Sequence, residues 1–406
     1  MKKYFHLFLL TFLFSNTPKG SYVLLISFDG FRADYLDWYD TPNFDRLAIQ
    51  GVKADGLKPV FVSKTFPSHY TIATGMYIEN HGLVGNHFYD EKLDEFYTLS
   101  DRSKVEDARF YGGEPIWVTA EKQGIKTASY FWVGTEAPIG GVQSSIWKKY
   151  DHNFPFKARV DSVAKWFSLP EEKRPHLIML YFHEPDDAGH RYGPKSAEAE
   201  AMVESMDTIM GNIMNAMESL EISQNLNIIV VADHGMAAIS PERAIDLTDY
   251  VNLKDIIQEN SGPYAFLYSK TKSKLNRIVK KLKMIPHLNV YKKEEIPERY
   301  HFKNHYRIKD VLLVADEGWY ILGKKYYGAD KLSLKFLQGG THGYDNELRS
   351  MHALFVADGP AFKDGYSRPT VENIHIYPLI AEILGIEPYE EIDGNLEKIR
   401  DVLKGN

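Results

Sequence analysis

Six side chains able to ligate a metal fall where apolar runs of this chain end or in neighbouring loops. "YVLLISF" (22–28) leads into Asp29, "HLIMLYF" (176–182) into "HEPDDAGH", where Asp186 and His190 stand four apart, and "LNIIVVA" (226–232) into Asp233 and His234; His342 follows in "GGTHGYDN". Each alone reads as a turn former or a surface histidine. Gathered at one edge of one sheet, three carboxylates would repel one another unless a cation neutralised them. Oxygen and nitrogen donors without sulfur suit zinc best, with manganese, iron or cobalt as alternatives. Two ions roughly 4 Å apart would use all six side chains and clamp the entering and leaving oxygens of an in-line displacement at phosphorus. The expected chemistry is phosphoryl transfer.

A candidate nucleophile lies in "KTFPSHYTIATG" (64–75). By itself this stretch is a Ser/Thr turn opening a helix. A threonine hydroxyl is a poor nucleophile unless a base or a metal activates it, and a metal in the cluster would be such an activator. His69 in the same stretch reads as a structural hydrogen-bonding residue, since a metal makes a base redundant.

These residues need a scaffold that brings distant segments together. The apolar runs, rich in branched residues, are those of parallel strands buried on both faces. Helical patterns lie between them. Thr41, Pro42 and Gly51 punctuate one over "TPNFDRLAIQG", and Met202, Met206, Ile209, Ile213 and Met217 put one face of another into the core. Strand alternating with helix predicts a doubly wound, mostly parallel α/β sheet with helices on both faces, whose ligands gather at the C-terminal strand ends. Between about residues 262 and 337 the texture shifts to short strands around one basic helix, an expected inserted α+β subdomain. The core is then expected over 21–261 and 338–400.

Composition narrows the class further. The chain has 406 residues, 44% hydrophobic, and a formal charge of −7, which gives no reason to expect a nucleic-acid-binding surface. The lysines of "KTKSKLNRIVKKLK" (270–283) alternate with Leu275, Ile278, Val279 and Leu282, so they form the wet face of an amphipathic helix. Residues 1–20 have the layout of a secretory signal, two lysines followed by an apolar stretch too short to span a bilayer, which predicts an exported, periplasmic or secreted protein with no transmembrane span. Cysteine is absent, which excludes disulfides, thiolate ligands and a cysteine nucleophile. Nothing in the sequence sets an oligomeric state.

"SFDGFR", "KTFPSHYTIATG", "GLVGNHFYD", "YFHEPDDAGH", "VVADHGM", "PERYHFKNHYRIKDVLLVADEGWYI" and "THGYDN", in that order, closely resemble the nucleotide pyrophosphatase/phosphodiesterase family of the alkaline phosphatase superfamily. The resemblance runs from Tyr22 to about Leu384 and implies an alkaline phosphatase-like core. It implies one zinc held by Asp186, His190 and His342, with Asp187 the rival to Asp186. It implies a second zinc held by Asp29, Asp233, His234 and the hydroxyl of Thr65. The Phe66 N–H and Asn86 would hold a non-bridging phosphate oxygen. Asn86 offers hydrogen bonds without positive charge, which suits the singly charged phosphate of a diester or anhydride better than a dianionic monoester. Phe66 and Tyr150, the latter in "WKKYDHNFPF", match the family's aromatic pair and could sandwich a nucleobase, each stack contributing about 1–3 kcal/mol.

The implied activity is hydrolysis of nucleotide phosphodiesters and pyrophosphates, through a phosphothreonine, to nucleoside 5'-monophosphates. Alternatives are a lysophospholipid or choline phosphodiester hydrolase and a catalytically silent ligand-binding protein on the same fold. Animal members are disulfide-rich and carry extra domains; this chain has neither, so a minimal exported bacterial enzyme is expected, with a small nucleotide as its partner.

Overall fold

The computed structural model describes residues 20–329 and 333–405. The expected leader therefore lies, apart from Gly20, outside the described residues. The main sheet is built from β1 (Tyr22–Phe28), β2 (Val52–Ala54), β3 (Thr127–Tyr130), β4 (Ile146–Lys148), β5 (Leu177–Phe182) and β6 (Leu226–Val231). A four-stranded second sheet follows, β7 (Ile257–Glu259), β8 (Tyr264–Tyr268), β9 (Leu288–Lys292) and β10 (Val311–Ala315), before β11 (Phe355–Asp358) and β12 (Tyr366–Arg368) complete the first.

Spatial order in the main sheet is β12-β2-β11-β6-β1-β5-β3-β4. Every pairing is parallel except those of β11, which runs against β6 and β2. The central strands β1 and β5 are buried at every residue. That explains their almost unbroken apolar sequence, because helices cover both faces of the sheet. One face carries α1 (Pro42–Gln50), α4 (Phe156–Phe167) and α6 (Ala197–Glu218). The other carries α2 (Thr65–Thr74), α3 (Ile116–Lys122) and α8 (Ile376–Leu384). The doubly wound, mostly parallel α/β fold read from the sequence is the fold observed. α5 (Asp186–Tyr192) follows β5 directly.

The second sheet has order β7-β8-β10-β9 and is wholly antiparallel. α7 (Lys272–Leu282) lays Leu275, Ile278, Val279 and Leu282 on it and leaves its lysines outside, as their spacing predicts. This sheet begins at Ile257, a few residues before the boundary expected from composition.

Just before β10, Arg307 ties the segment leading into the second sheet to a hairpin outside the main sheet. It is 4% exposed, and its guanidinium donates to Asp90 Oδ2 at 2.7 Å and to the carbonyls of Gly82 and Phe110 at 2.6 and 2.7 Å. Asp90 closes the hairpin that begins just after Asn86. Arg307→Met would leave the buried Asp90 carboxylate without its counter-charge. Removing one partner of such a pair costs about 3–5 kcal/mol. Urea unfolding should therefore show a loss of that size; a change below about 1 kcal/mol would show that the clamp is dispensable.

Candidate metal centre and cleft

The strands deliver the six candidate ligands to one place. Asp29 follows β1, Asp186 and His190 lie on α5 after β5, and Asp233 and His234 follow β6. Because α5 is helical, residues four apart share a face, so Asp186 Oδ2 comes within 3.4 Å of His190 Nε2. His342 Nε2 lies 3.9 Å from Asp186 Oδ1, completing a group of three. Asp187 points elsewhere, its Oδ2 lying 3.3 Å from His152 Nε2. The structure thus favours Asp186 over its neighbour as a member of the cluster.

The second group surrounds His234. Its Nε2 is 3.4 Å from Asp29 Oδ1, 3.0 Å from Asp233 Oδ2 and 3.3 Å from Thr65 Oγ1. Asp29, Asp186 and His234 also place ligand atoms within 4.8 Å of one another, which joins the two groups into one centre. His234 and His342 stack at 3.4 Å between ring centroids.

Each imidazole is oriented by the backbone. Nδ1 of His190, His234 and His342 meets the carbonyl oxygens of Gly340, Gly235 and Ser63 at 2.9, 2.9 and 2.8 Å. A carbonyl only accepts, so each ring holds its proton on Nδ1 and turns Nε2 into the centre. Burial, followed by the charges of His234, Lys64 and His190, holds His342 well below its ordinary value, leaving it neutral.

A cation fits this donor set. Asp29 Oδ1, Asp186 Oδ1 and Asp233 Oδ2 are buried and accept no hydrogen bond. Such orphans are rare in folded proteins unless an ion or water completes them. Asp29 is pushed up by burial and then by the charges of Asp233 and Asp186, the signature of carboxylates crowded without a counter-ion.

Two residues shape the centre without being evident in the sequence. Tyr181 donates to Asp29 Oδ2 at 2.6 Å and so leaves Oδ1 to face the cluster. The N–H of Gly30 donates to Asp233 Oδ1 at 3.1 Å. Gly30 has φ +68°, and a Cβ there would lie 2.9 Å from Asp186 Cβ and 3.0 Å from its Cα. Gly30→Ala should therefore cost about 1–2 kcal/mol for the left-handed backbone and also displace Asp186. Its check is urea unfolding together with zinc retention after gel filtration, both of which should fall.

Beside the centre opens a cleft of about 430 Å3, lined among others by Thr65, Phe66, Asn86, Tyr150 and Tyr181. Thr65 is the first residue of α2, so an anion bound at its hydroxyl would lie at the positive end of the helix dipole. Asn86 Oδ1 accepts the Phe66 N–H at 3.0 Å. An N–H needs an acceptor, so the Asn86 amide orientation is determined and Nδ2 is the atom left to donate. In this state the Phe66 N–H is engaged by Asn86. His69 is doubly bonded, to the Thr65 carbonyl through Nδ1 and to the Ser27 hydroxyl through Nε2, both at 2.8 Å.

The sheet order and the Asp/His cluster at its C-terminal edge define an α/β protein of alkaline phosphatase-like architecture. Human ENPP5, an ectonucleotide pyrophosphatase/phosphodiesterase, superposes with a TM-score of 0.88 at 34% identity over 95% of this chain and all of that one. A murine ENPP5 structure, an inactive threonine-to-alanine form in complex with AMP, gives the same TM-score at 33% identity, with the same coverage. The model of the type I phosphodiesterase/nucleotide pyrophosphatase family matches residues 23–345, and the chain belongs to that family. A venom phosphodiesterase of Naja atra is 41% identical over 92% of this chain but 46% of its own length. The bis(5'-adenosyl)-triphosphatase enpp4 of Mus musculus is 38% identical over 92% of this chain and 79% of its own. The chain thus spans about half the length of the venom enzymes it resembles. Among the described residues, no helix is long and apolar enough to cross a membrane.

Proposed function

We propose that this chain is an exported, zinc-dependent hydrolase of nucleotide phosphodiesters and pyrophosphates that releases nucleoside 5'-monophosphates through a phosphothreonine at Thr65. The observation that carries the reading is the Thr65 hydroxyl at the head of α2, 3.3 Å from His234 Nε2 and beside three unpartnered buried carboxylate oxygens. Family membership supports it, as do the printed activities of the venom and enpp4 relatives and the inactive threonine-to-alanine ENPP5 holding AMP. The venom and ecto-enzyme relatives support export, periplasmic or secreted.

Asp186, His190 and His342 would hold one zinc, and Asp29, Asp233, His234 and Thr65 Oγ1 the other. Bound there, the ions would lower the pKa of the Thr65 hydroxyl and neutralise charge on the reacting oxygens. Thr65 Oγ gives up its proton to solvent and forms a bond to phosphorus in line, and the bond from phosphorus to the leaving oxygen breaks, that oxygen departing with the electron pair and taking a proton from solvent where it needs one. Water then adds its oxygen to phosphorus, and Thr65 Oγ leaves and is reprotonated. Asn86 Nδ2 donates to a non-bridging oxygen, with the Phe66 N–H joining once the substrate oxygen competes for it. His69, with both nitrogens engaged, holds the first turn of α2 in place. Phe66 and Tyr150, both on the cleft wall, would flank the base.

The deciding experiment compares hydrolysis of the nitrophenyl ester of thymidine 5'-monophosphate with that of nitrophenyl phosphorylcholine. Preference for the nucleotide ester is expected. Preference for the choline ester would replace the nucleotide reading, and no turnover of either with zinc present would leave a ligand-binding protein.

A further inference from the structure

We propose that His152, His183 and Asp187 form a separate divalent-metal site at the rim of the cleft, taking a borderline transition-metal ion such as zinc. One imidazole nitrogen from each histidine and a carboxylate oxygen of Asp187 lie within 4.8 Å of one another. None of the three belongs to the centre described above. They come from different elements: His152 from the loop after β4, His183 from the end of β5, and Asp187 from the first turn of α5.

An ordinary ion pair does not account for this arrangement. His152 Nε2 and Asp187 Oδ2 are 3.3 Å apart, with both side chains about half exposed, at 49% and 48%. A pair that wet contributes at most about 1 kcal/mol. It also leaves His183 unexplained, because Nδ1 of that ring is buried and has no hydrogen-bond partner. The two rings stack face to face, centroids 3.9 Å apart at 24°. Burial, then the charges of His152 and Arg159, hold His183 down to about 3, so it offers a neutral imidazole, the form that ligates. Two imidazoles and one carboxylate are a donor set for zinc, cobalt, nickel or copper rather than for magnesium or calcium. Three protein ligands leave a coordination position open.

The position connects the ion to the cleft. All three residues line the same cavity as Thr65 and Tyr150. The Tyr150 hydroxyl is 3.0 Å from His152 Nδ1. An ion taking His152 at Nε2, the atom facing Asp187, confines that ring's proton to Nδ1 and makes it a donor to the Tyr150 oxygen. Metal loading would thereby hold the Tyr150 ring in one orientation on the cleft wall.

The test is metal stoichiometry. The full chain and the variants His152→Gln, His183→Gln and Asp187→Asn are equilibrated with zinc, freed of unbound metal by gel filtration and analysed by mass spectrometry, with circular dichroism confirming the fold. Each variant is expected to hold about one zinc equivalent fewer than the unaltered chain, and the cobalt(II)-loaded variants to lose part of the visible absorption. Since His152 and Asp187 are solvent-accessible, at least those two variants will fold. Equal zinc content in the unaltered chain and in these two variants overturns the site. The result rests on a difference, so it stands or falls apart from the total: one equivalent in the unaltered chain and none in the variants would support the rim site while refuting the two-ion centre.

Discussion

Thr65→Ala is expected to lower turnover of the nitrophenyl thymidine ester by about a thousandfold or more, because removing a nucleophile forfeits the covalent route altogether. Stability should barely change. The residue before the helix, Lys64, makes no side-chain cap bond, and Thr65 is only partly buried, so no packing or capping is lost. The unfolding midpoint should stay within about 2 °C, consistent with a substitution away from the core. The Asp186, His190 and His342 group is untouched and should keep its zinc. Thr65→Ser separates chemistry from packing, since it restores a hydroxyl at the same atom and should recover much of the rate. A Thr65→Ala protein retaining even a tenth of the activity would exclude the phosphothreonine.

Stripping the metal is expected to abolish activity and to destabilise the fold in a pH-dependent way. An ion present at a hundred times its dissociation constant adds about 2.7 kcal/mol to stability. In the metal-free centre, burial and the charges of Asp233 and Asp186 raise Asp29. Burial pulls His234 down, but the Asp233 charge outweighs it and leaves His234 above its ordinary value. Both groups hold protons more tightly folded than unfolded, so their contribution is present at low pH and lost as pH rises through their folded values. Asp233 is shifted the other way, with His234 and His69 overcoming its burial, but it titrates far below neutrality. Zinc displaces those protons, so it should raise the unfolding midpoint more at pH 8 than at pH 6; depressed histidines such as His342 act in the opposite direction on the metal-free protein, so the quantity read is the shift caused by zinc at each pH. Calorimetry with and without zinc at the two pH values checks that sign. A midpoint indifferent to zinc, or a zinc effect that shrinks as pH rises, would sink the metal centre.

The fold and the gathering of the Asp and His side chains at one place were legible because buried parallel strands leave an unmistakable trace. "YVLLISF" and "HLIMLYF" could be apolar throughout only if both faces were covered, and the aspartates that ended them had to sit at one sheet edge. The same uniformity hid Tyr181, whose hydroxyl holds Asp29 from 152 residues away, since a tyrosine inside an apolar run looks like packing. Arg307 was hidden for a similar reason, since its partner Asp90 is 217 residues distant and only tertiary structure pairs them. The reversed direction of β11 leaves no mark on composition, because a buried antiparallel strand looks the same as a parallel one. The bond between the Phe66 N–H and Asn86 depends on the approach of the Asn86 loop to the head of α2 and could not be read from either segment.

All three ring protons of the centre are anchored by main-chain oxygens, those of Gly340, Gly235 and Ser63, and none by a side-chain carboxylate. A main-chain oxygen is present whatever residue occupies the position. The polarity of the imidazoles is thus insulated from substitution in the surrounding sequence, provided the strand ends hold their course. Such a centre can persist while the walls of the cleft around it diverge, so new substrate preferences can be tried on one chemistry without reassembling it.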